Sequence, residues 1–286
     1  MPSSVKQHRA TGMKEYESAS TVSSFIRQYV HYRPQIAILC GTGFDAIADL
    51  ISSPRILRFD DIPGFPNCEV IGQEGKFVFG KIAGKDVVML QRRFQSSNTE
   101  NNNTLSLPIR VAKLLGADYL IIMTVVAAVN PSYEVGDVMM VSDHVDFASI
   151  STRSPLICQS NSWYGADFEP AFDTYDRRLR DITRSSVNEL NTPVCLHEGV
   201  YFHMATSSLC TPATTRMLQT VGCDAVGPKI IQEVLAANYL KLKTLAIGLV
   251  TYARNDYRRS PVEATKIARI CFPKVSQLLE QVIQNI

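Results

Sequence analysis

The sequence predicts an α/β fold in which a mostly parallel, buried sheet is flanked by helices. Apolar runs of strand length recur along the chain, and residues 119–125 form the clearest of them. Helical patterns separate these runs. Strands that alternate with helices are typical of parallel sheets whose two faces are both covered.

Continuous or alternating apolar residues predict the strands in chain order. These strands cover residues 35–40, 76–82, 86–90, 119–125, 137–142, 199–204 and 243–251. The second and third of them form a pair around a turn at Gly84 and Lys85, because glycine is typical of tight turns.

Apolar residues at helical spacing predict the helices. These helices cover residues 17–32, 108–115, 174–190 and 261–286. Thr211 before Pro212 marks a further helix start, since threonine caps a helix and proline fits its first turn. Ser260, Pro261 and Glu263 form a capping box, which is a second start signal of this kind.

Composition excludes several classes of protein. The chain has 286 residues, 45% hydrophobic and 20% charged, which fits one large globular domain or two. The net charge of +2 is dispersed, so we expect no nucleic-acid partner. Apolar runs are too short to span a bilayer, and the first residues lack the apolar core of a signal peptide. We therefore expect no membrane partner and a cytoplasmic location.

The seven cysteines are predicted to be reduced, and no metal site is expected. Cysteine and histidine do not cluster along the sequence at the spacing of zinc ligands. Asp137, Asp143 and His144 surround one strand without a matching serine nucleophile, so we interpret them as structural. Cys210 precedes a helix start that could activate its thiol, although a buried, inert cysteine is the more common case.

Three features indicate an anion site. A strand runs into Gly41-Thr42-Gly43, where glycines permit close backbone approach and Thr42 offers a hydroxyl. Arg93 follows another strand and could clamp a phosphate. Lys229 lies at a helix start, where a cation is disfavoured unless an anion is bound. Each feature also has an ordinary interpretation, as a plain turn or a solvated charge.

Five segments, in order along the chain, carry a resemblance to the trimeric purine nucleoside phosphorylases. They are RPQIAILCGTG (33–43), IPGFP (62–66), NPSYEVGDVM (130–139), FDTYD (172–176) and LQTVGCDAVG (218–227). The resemblance implies a single nucleoside phosphorylase domain over residues 1–286, with a mixed, partly barrel-like sheet and a flexible tail over residues 1–15. It further implies a homotrimer that uses phosphate as co-substrate and no cofactor or metal.

The resemblance assigns phosphate binding to Thr42, Arg93, Gln95, Val125 and Lys229. Val125 would act through its backbone amide. Gln95 stands where the family has a histidine, and Lys229 where it has a hydroxyl. The loop at Val125 has lost both family glycines, which should stiffen or redirect it.

The nucleoside side of the family's site departs further from its pattern. Base binding falls on Leu209, Cys210, Val226 and Tyr252, and ribose binding on Gln73, Ser97, Pro228 and Pro261. Tyr164 matches an aromatic residue that, in the family, extends from one subunit into the site of its neighbour. Cys210 replaces the carboxylate that binds the base, and Tyr252 replaces an asparagine.

Three hypotheses for function follow. The first is an enzyme that cleaves a purine or other nucleoside with phosphate, giving free base and ribose 1-phosphate, with weak activity or altered base specificity. The second is a catalytically silent protein that binds anions or nucleotides. The third is a silent, regulatory subunit that joins an active relative.

Overall fold

The computed structural model describes residues 2–41, 43–66, 75–91, 103–146, 172–204, 211–227, 230–253 and 261–286. The α-helices in these ranges are α1 (Pro2–Tyr29), α2 (Asn103–Leu115), α3 (Arg177–Asn188), α4 (Pro212–Thr220), α5 (Ile231–Tyr239) and α6 (Pro261–Asn285). Two short 3-10 helices cover Asp45–Leu50 and Phe59–Asp61.

The strands form one sheet. They are β1 (Ile36–Cys40), β2 (Ser52–Arg58), β3 (Lys76–Ile82), β4 (Lys85–Gln91), β5 (Tyr119–Ala128), β6 (Val138–Val145), β7 (Leu196–His203), β8 (Ala225–Gly227) and β9 (Lys243–Tyr252). Their order is β2-β3-β4-β1-β5-β8-β7-β6-β9, and β9 pairs back onto β5. Five strands therefore close into a barrel, and four extend from it as an open sheet.

The predicted fold class is confirmed, but the sheet is less parallel than the alternation of elements indicates. β1 lies parallel to β4 and β5, and β5 parallel to β9. β3 is antiparallel to both of its neighbours, and β5–β8 and β6–β9 are antiparallel as well. The sheet is mixed because a short hairpin joins β3 to β4 and because β8 enters the barrel against the direction of β5.

β5 is the central strand of the molecule. Its residues alternate between two cores: Leu120 and Ile122 pack on one face of the sheet, Ile121 and Met123 on the other. All four are fully buried. This explains why the strand reads as a continuous apolar run, since a strand that is covered on both faces has no solvent-facing side.

The hairpin between β3 and β4 turns one residue earlier than predicted. Ile82 and Lys85 are the last paired residues, so Ala83 and Gly84 form the turn. Both have positive φ, 48° at Ala83 and 79° at Gly84. Positive φ at both central residues matches the right-handed twist of the strands, as in a type I′ turn.

Helix α1 begins earlier than the sequence pattern indicates. It starts at Pro2, whereas apolar spacing predicted a helix from residue 17, after an expected tail over residues 1–15. The first half was missed because its apolar residues are sparse. Glu15 lies in this half and forms an ion pair with Arg110 of α2, 2.9 Å between Oε2 and Nη2.

The predicted helix starts are supported by their caps. Thr211 caps α4, where its Oγ1 accepts a hydrogen bond from the amide of Thr214. Asp176 caps α3 through the amide of Leu179, so this helix begins three residues later than predicted. α6 begins at Pro261, as predicted.

No helix in the described ranges is both long and apolar enough to cross a membrane. Four cysteines lie in those ranges, Cys40, Cys195, Cys223 and Cys271, and each is a free thiol.

Candidate functional site

The predicted site segments converge on the second half of β5. Met123 of β5 is in register with Cys40 at the end of β1, and Cys40 with Gln91 at the end of β4. Four residues further along β5, Ala127 is in register with Val226 of β8 and Tyr252 of β9. Three other strands, β1, β8 and β9, thus pair with this stretch of β5, and the end of β4 lies one strand further out, beside β1.

The turn after β1 has the close approach expected of its glycines. The amide of Gly41 donates to the carbonyl of Met123 at 2.8 Å, and a Cβ on Gly41 would lie 3.0 Å from that oxygen. Gly43 has φ +94°, and a Cβ there would lie 2.6 Å from Cβ of Ala268 in α6. A larger residue at position 43 would require the turn and α6 to separate.

Three of the predicted site residues lie close together on the central strands. Val125 is half-buried on β5, Val226 is buried on β8 and Tyr252 is half-buried at the end of β9. Val226 and Tyr252 flank Ala127 on its two sides. Pro261 is the first residue of α6.

The remaining predicted site residues lie outside the described residues. They are Thr42, Gln73, Arg93, Gln95, Ser97, Tyr164, Leu209, Cys210, Pro228 and Lys229. Their proposed roles stay predictions. Several follow directly on described strand ends, Thr42 two residues after Cys40 and Arg93 two residues after Gln91.

The backbone of Val125 faces the side on which β1 lies. Met123 presents its carbonyl to Gly41, and residues two apart in a strand present their backbone groups to the same side. Val125 is two residues beyond Met123, so its amide is directed past the end of β1, toward the glycine turn. This is the amide that the resemblance assigns to phosphate.

Strain is stored at the start of α5. Ile230 is fully buried, yet it has φ 85°, which a β-branched residue rarely adopts. Its amide donates to the Glu233 carboxylate at 3.1 Å, which holds this conformation. The predicted site residues Pro228 and Lys229 precede Ile230 directly, and such strain is commonly found at functional sites.

A pair of histidines near the ends of β6 and β7 was not predicted as part of the site. His203 Nδ1 lies 3.8 Å from Asp146 Oδ1, and both side chains are largely buried. Burial lowers the pKa of His203, against the opposing effects of Asp146 and Glu233. His144 Nδ1 lies 3.1 Å from the buried Tyr175 hydroxyl, and burial also lowers the pKa of His144. The only sequence signal for His203 is its place at the end of a predicted strand.

Asp137 lies in a group of possible metal ligands. Asp137, Cys195 and His197 each offer one donor atom, and these atoms all lie within 4.8 Å of one another. The sequence argument against a metal site considered spacing along the chain alone. It missed this group because β6 and β7 bring Asp137 beside a Cys-x-His pair that lies 60 residues away.

Comparison with known proteins agrees with this architecture. The sequence profile of the phosphorylase superfamily matches residues 35–284. Purine nucleoside phosphorylase 1 of Bacillus subtilis is 32% identical over 248 residues, which cover 87% of this chain and 90% of that protein. The chain belongs to the purine nucleoside phosphorylase family.

Solved structures of the family superpose closely on this chain. The Schistosoma mansoni purine nucleoside phosphorylase in complex with inosine has a TM-score of 0.90 at 28% identity, covering 94% of this chain and 96% of that one. Isoform 2 from the same organism, in complex with cytosine and ribose-1-phosphate, also has a TM-score of 0.90, at 27% identity, covering 95% and 97%.

Proposed function

We propose that this chain cleaves a nucleoside with inorganic phosphate, giving a free base and ribose 1-phosphate, without a further cofactor. Its membership of the purine nucleoside phosphorylase family supports the reaction type. The observation that carries the proposal is the pairing of β1, β8 and β9 with one stretch of β5, with the end of β4 next to the end of β1. The predicted phosphate and base segments begin at these strand ends.

The phosphate half of the proposed site rests on the glycine turn and the Val125 amide. The contacts of Gly41 and Gly43 favour a tight turn in which Thr42 could present its amide and hydroxyl to an anion. The amide of Val125 is directed to the same turn. Arg93, Gln95 and Lys229 would add charge and hydrogen bonds, and an arginine suits phosphate because it binds two oxygens at once.

The base half of the proposed site differs from the family's pattern. Cys210 in place of a carboxylate removes a charge-assisted hydrogen bond, a loss of about 1.5–3 kcal/mol. Tyr252 in place of an asparagine removes a donor to the departing base, about 2.7–4 kcal/mol by analogy with oxyanion sites. Together these losses predict roughly 10³- to 10⁵-fold less rate on ordinary purine nucleosides.

Altered base specificity is therefore part of the proposal. The half-buried Tyr252, across Ala127 from Val226, offers an aromatic ring in place of an amide. A family structure that holds cytosine and ribose-1-phosphate supports the inclusion of pyrimidines among the candidates. Among the ribose positions, Gln73 and Ser97 would still offer side-chain hydrogen bonds to the sugar, whereas Pro228 and Pro261 offer no backbone donor.

A catalytically silent protein is the second candidate function. The same replacements at Cys210 and Tyr252 favour it, while an intact Arg93 favours a retained anion site. In this form the chain would bind phosphate, a sugar phosphate or a nucleotide, or would join an active relative in a mixed oligomer. A homotrimer, which rests on the family resemblance, and a cytoplasmic location complete the proposal.

The test is a chromatographic assay of phosphorolysis. The purified chain is incubated with phosphate and a panel of purine and pyrimidine nucleosides, and free base and ribose 1-phosphate are measured. Arg93→Ala is expected to lower kcat/KM about 10- to 150-fold, because it removes a charged hydrogen bond to phosphate. Arg92→Ala is the matched control, since it removes the adjacent guanidinium and should leave turnover unchanged.

Each outcome separates the two functions. Turnover on any nucleoside that falls with Arg93→Ala and not with Arg92→Ala supports the enzyme. Absence of turnover on the whole panel overturns it. If phosphate then still raises the melting temperature, and Arg93→Ala abolishes that rise, the silent anion-binding protein is supported instead.

A further inference from the structure

We infer that Asp137, Cys195 and His197 form a site for one zinc ion at the start of β6 and β7. Cys195 and His197 are two residues apart, so they project from the same face of β7 as it begins. Asp137 directly precedes β6, and Val138 is in register with Leu196 between the two β7 ligands. None of the three is a predicted residue of the nucleoside site.

The donor atoms lie close to the positions that zinc requires. Tetrahedral zinc holds a thiolate sulfur and an imidazole nitrogen about 3.5 Å apart, given bond lengths of about 2.3 and 2.0 Å. Cys195 Sγ and His197 Nε2 are 3.4 Å apart. His197 Nε2 and Asp137 Oδ2 are 2.8 Å apart and hydrogen-bonded, so this gap would open by about half an ångström on metal binding.

Neighbouring groups hold the ligands in place. The His197 ring stacks on Tyr133, with centroids 4.1 Å apart and planes 16° apart. Tyr133 is itself buried. The Asp137 carboxylate accepts the amide of Glu134 at 2.8 Å, so its orientation is fixed by the turn that precedes β6. Such supporting contacts are typical of metal sites and raise affinity because fewer conformations are lost on binding.

The charges of the donor set suit a divalent ion. A thiolate, a carboxylate and a neutral imidazole together neutralise Zn²⁺, and mixed sulfur, nitrogen and oxygen donors are the set that zinc accepts. Binding replaces the thiol proton, which leaves to solvent, and the Nε2 proton that His197 donates to Asp137 moves to Nδ1 by exchange with solvent. The ammonium of Lys274 donates to the Gly136 carbonyl at 2.5 Å, which helps to fix the residue directly before Asp137.

The site is open on one side. Cys195 is exposed, whereas His197 and Asp137 are partly buried. Zinc can therefore reach the ligands from solvent and complete its coordination with water. By linking the starts of β6 and β7, it would stabilise the folded barrel by an amount that rises with the logarithm of the free metal concentration above Kd.

The test is metal binding by the reduced, chelator-stripped full chain. Zinc is titrated against a chromophoric chelator, and cobalt is used as a spectroscopic probe of thiolate coordination. The wild-type chain is expected to bind one zinc per chain and to show a thiolate-to-cobalt charge-transfer band. Cys195→Ser should abolish the band and weaken zinc binding about tenfold or more, and His197→Gln should weaken it similarly.

Cys271→Ser is the matched control. Cys271 is a half-buried free thiol whose sulfur lies 3.5 Å from where a Cβ on Gly136 would be, so it is near the Asp137 turn but outside the ligand set. This variant should bind zinc as the wild type does. The proposal is overturned if wild type and Cys195→Ser bind zinc equally, or if the cobalt band depends on Cys271 instead. Circular dichroism of each variant checks that its fold is intact.

Discussion

At the scale of single residues, Arg110 and Glu15 form a deeply buried ion pair. The Arg110 side chain is 1% exposed and that of Glu15 is 9% exposed. Arg110 Nε also donates to Ser106 Oγ at 3.3 Å, and its guanidinium lies 6.0 Å from the Tyr239 ring. Burial raises the pKa of Glu15, and Arg110 only partly offsets this effect. The pair joins α1 to α2 and α5.

Arg110→Met is expected to lower the free energy of unfolding by about 3–5 kcal/mol, because it removes the guanidinium that faces the buried Glu15 carboxylate. Urea denaturation measures the loss. Lys113→Met on the same helix is the control, since Lys113 and Asp118 form a more exposed pair worth about 1 kcal/mol or less. Equal effects of the two substitutions would contradict the importance of burial here. Addition of Glu15→Met to Arg110→Met should restore part of the loss.

Individual residues also mark the limit of sequence-based prediction at the site. The sequence predicted a close backbone approach at Gly41 and Gly43 from the Gly-Thr-Gly motif after a strand. In the structure, a Cβ at either position would come too close to β5 or to α6. The contact between Asp137 and His197 could not be predicted from the sequence. The two residues meet only through the register of β6 and β7, and a shift by one residue would turn His197 to the other face of the sheet.

At the scale of elements, the β3–β4 hairpin permits a test of its turn. Ala83→Asn should raise the free energy of unfolding by about 0.5–1 kcal/mol, since asparagine tolerates positive φ better than alanine. Gly84→Ala should lower it by about 1 kcal/mol. Nothing lies within 4 Å of a Cβ at Gly84, so this loss would isolate backbone strain from steric clash. Urea midpoints that shift in the same direction for both variants would contradict the turn geometry.

Elements differ in how much of them the sequence predicts. β1, β5 and β9 were predicted because they are buried on both faces and read as apolar runs. β2 was missed because six of its seven residues are exposed, which removes the alternation that identifies a half-buried strand. β8 has only three residues and pairs within the barrel, so its extended conformation depends on its neighbours.

At the scale of the whole molecule, closure of the barrel could not be predicted from apolar patterns within short segments of the sequence. It depends on the pairing of β5 with both β8 and β9, strands that follow it by about a hundred residues in the chain. Closure of the barrel also brings two predicted base-binding residues together, because it places Val226 and Tyr252 on either side of Ala127. The family resemblance predicted a mixed, partly barrel-like sheet, since it compares whole chains rather than single segments.

Tyr164 tests the proposed trimer and the proposed reaction together, because the resemblance assigns its side chain to the pocket of a neighbouring subunit. Arg93→Ala and Tyr164→Ala chains should each be impaired alone, yet restore activity when they are mixed and reassembled. A pocket that keeps Arg93 can receive Tyr164 from its neighbour, and random assembly in a ring makes roughly a quarter of the pockets complete. Sedimentation must first show particles of three times the 31.8 kDa chain mass. Mixed trimers no more active than the average of the two variants would contradict a shared pocket, whereas wild-type trimers that turn over nucleoside would still support the reaction itself.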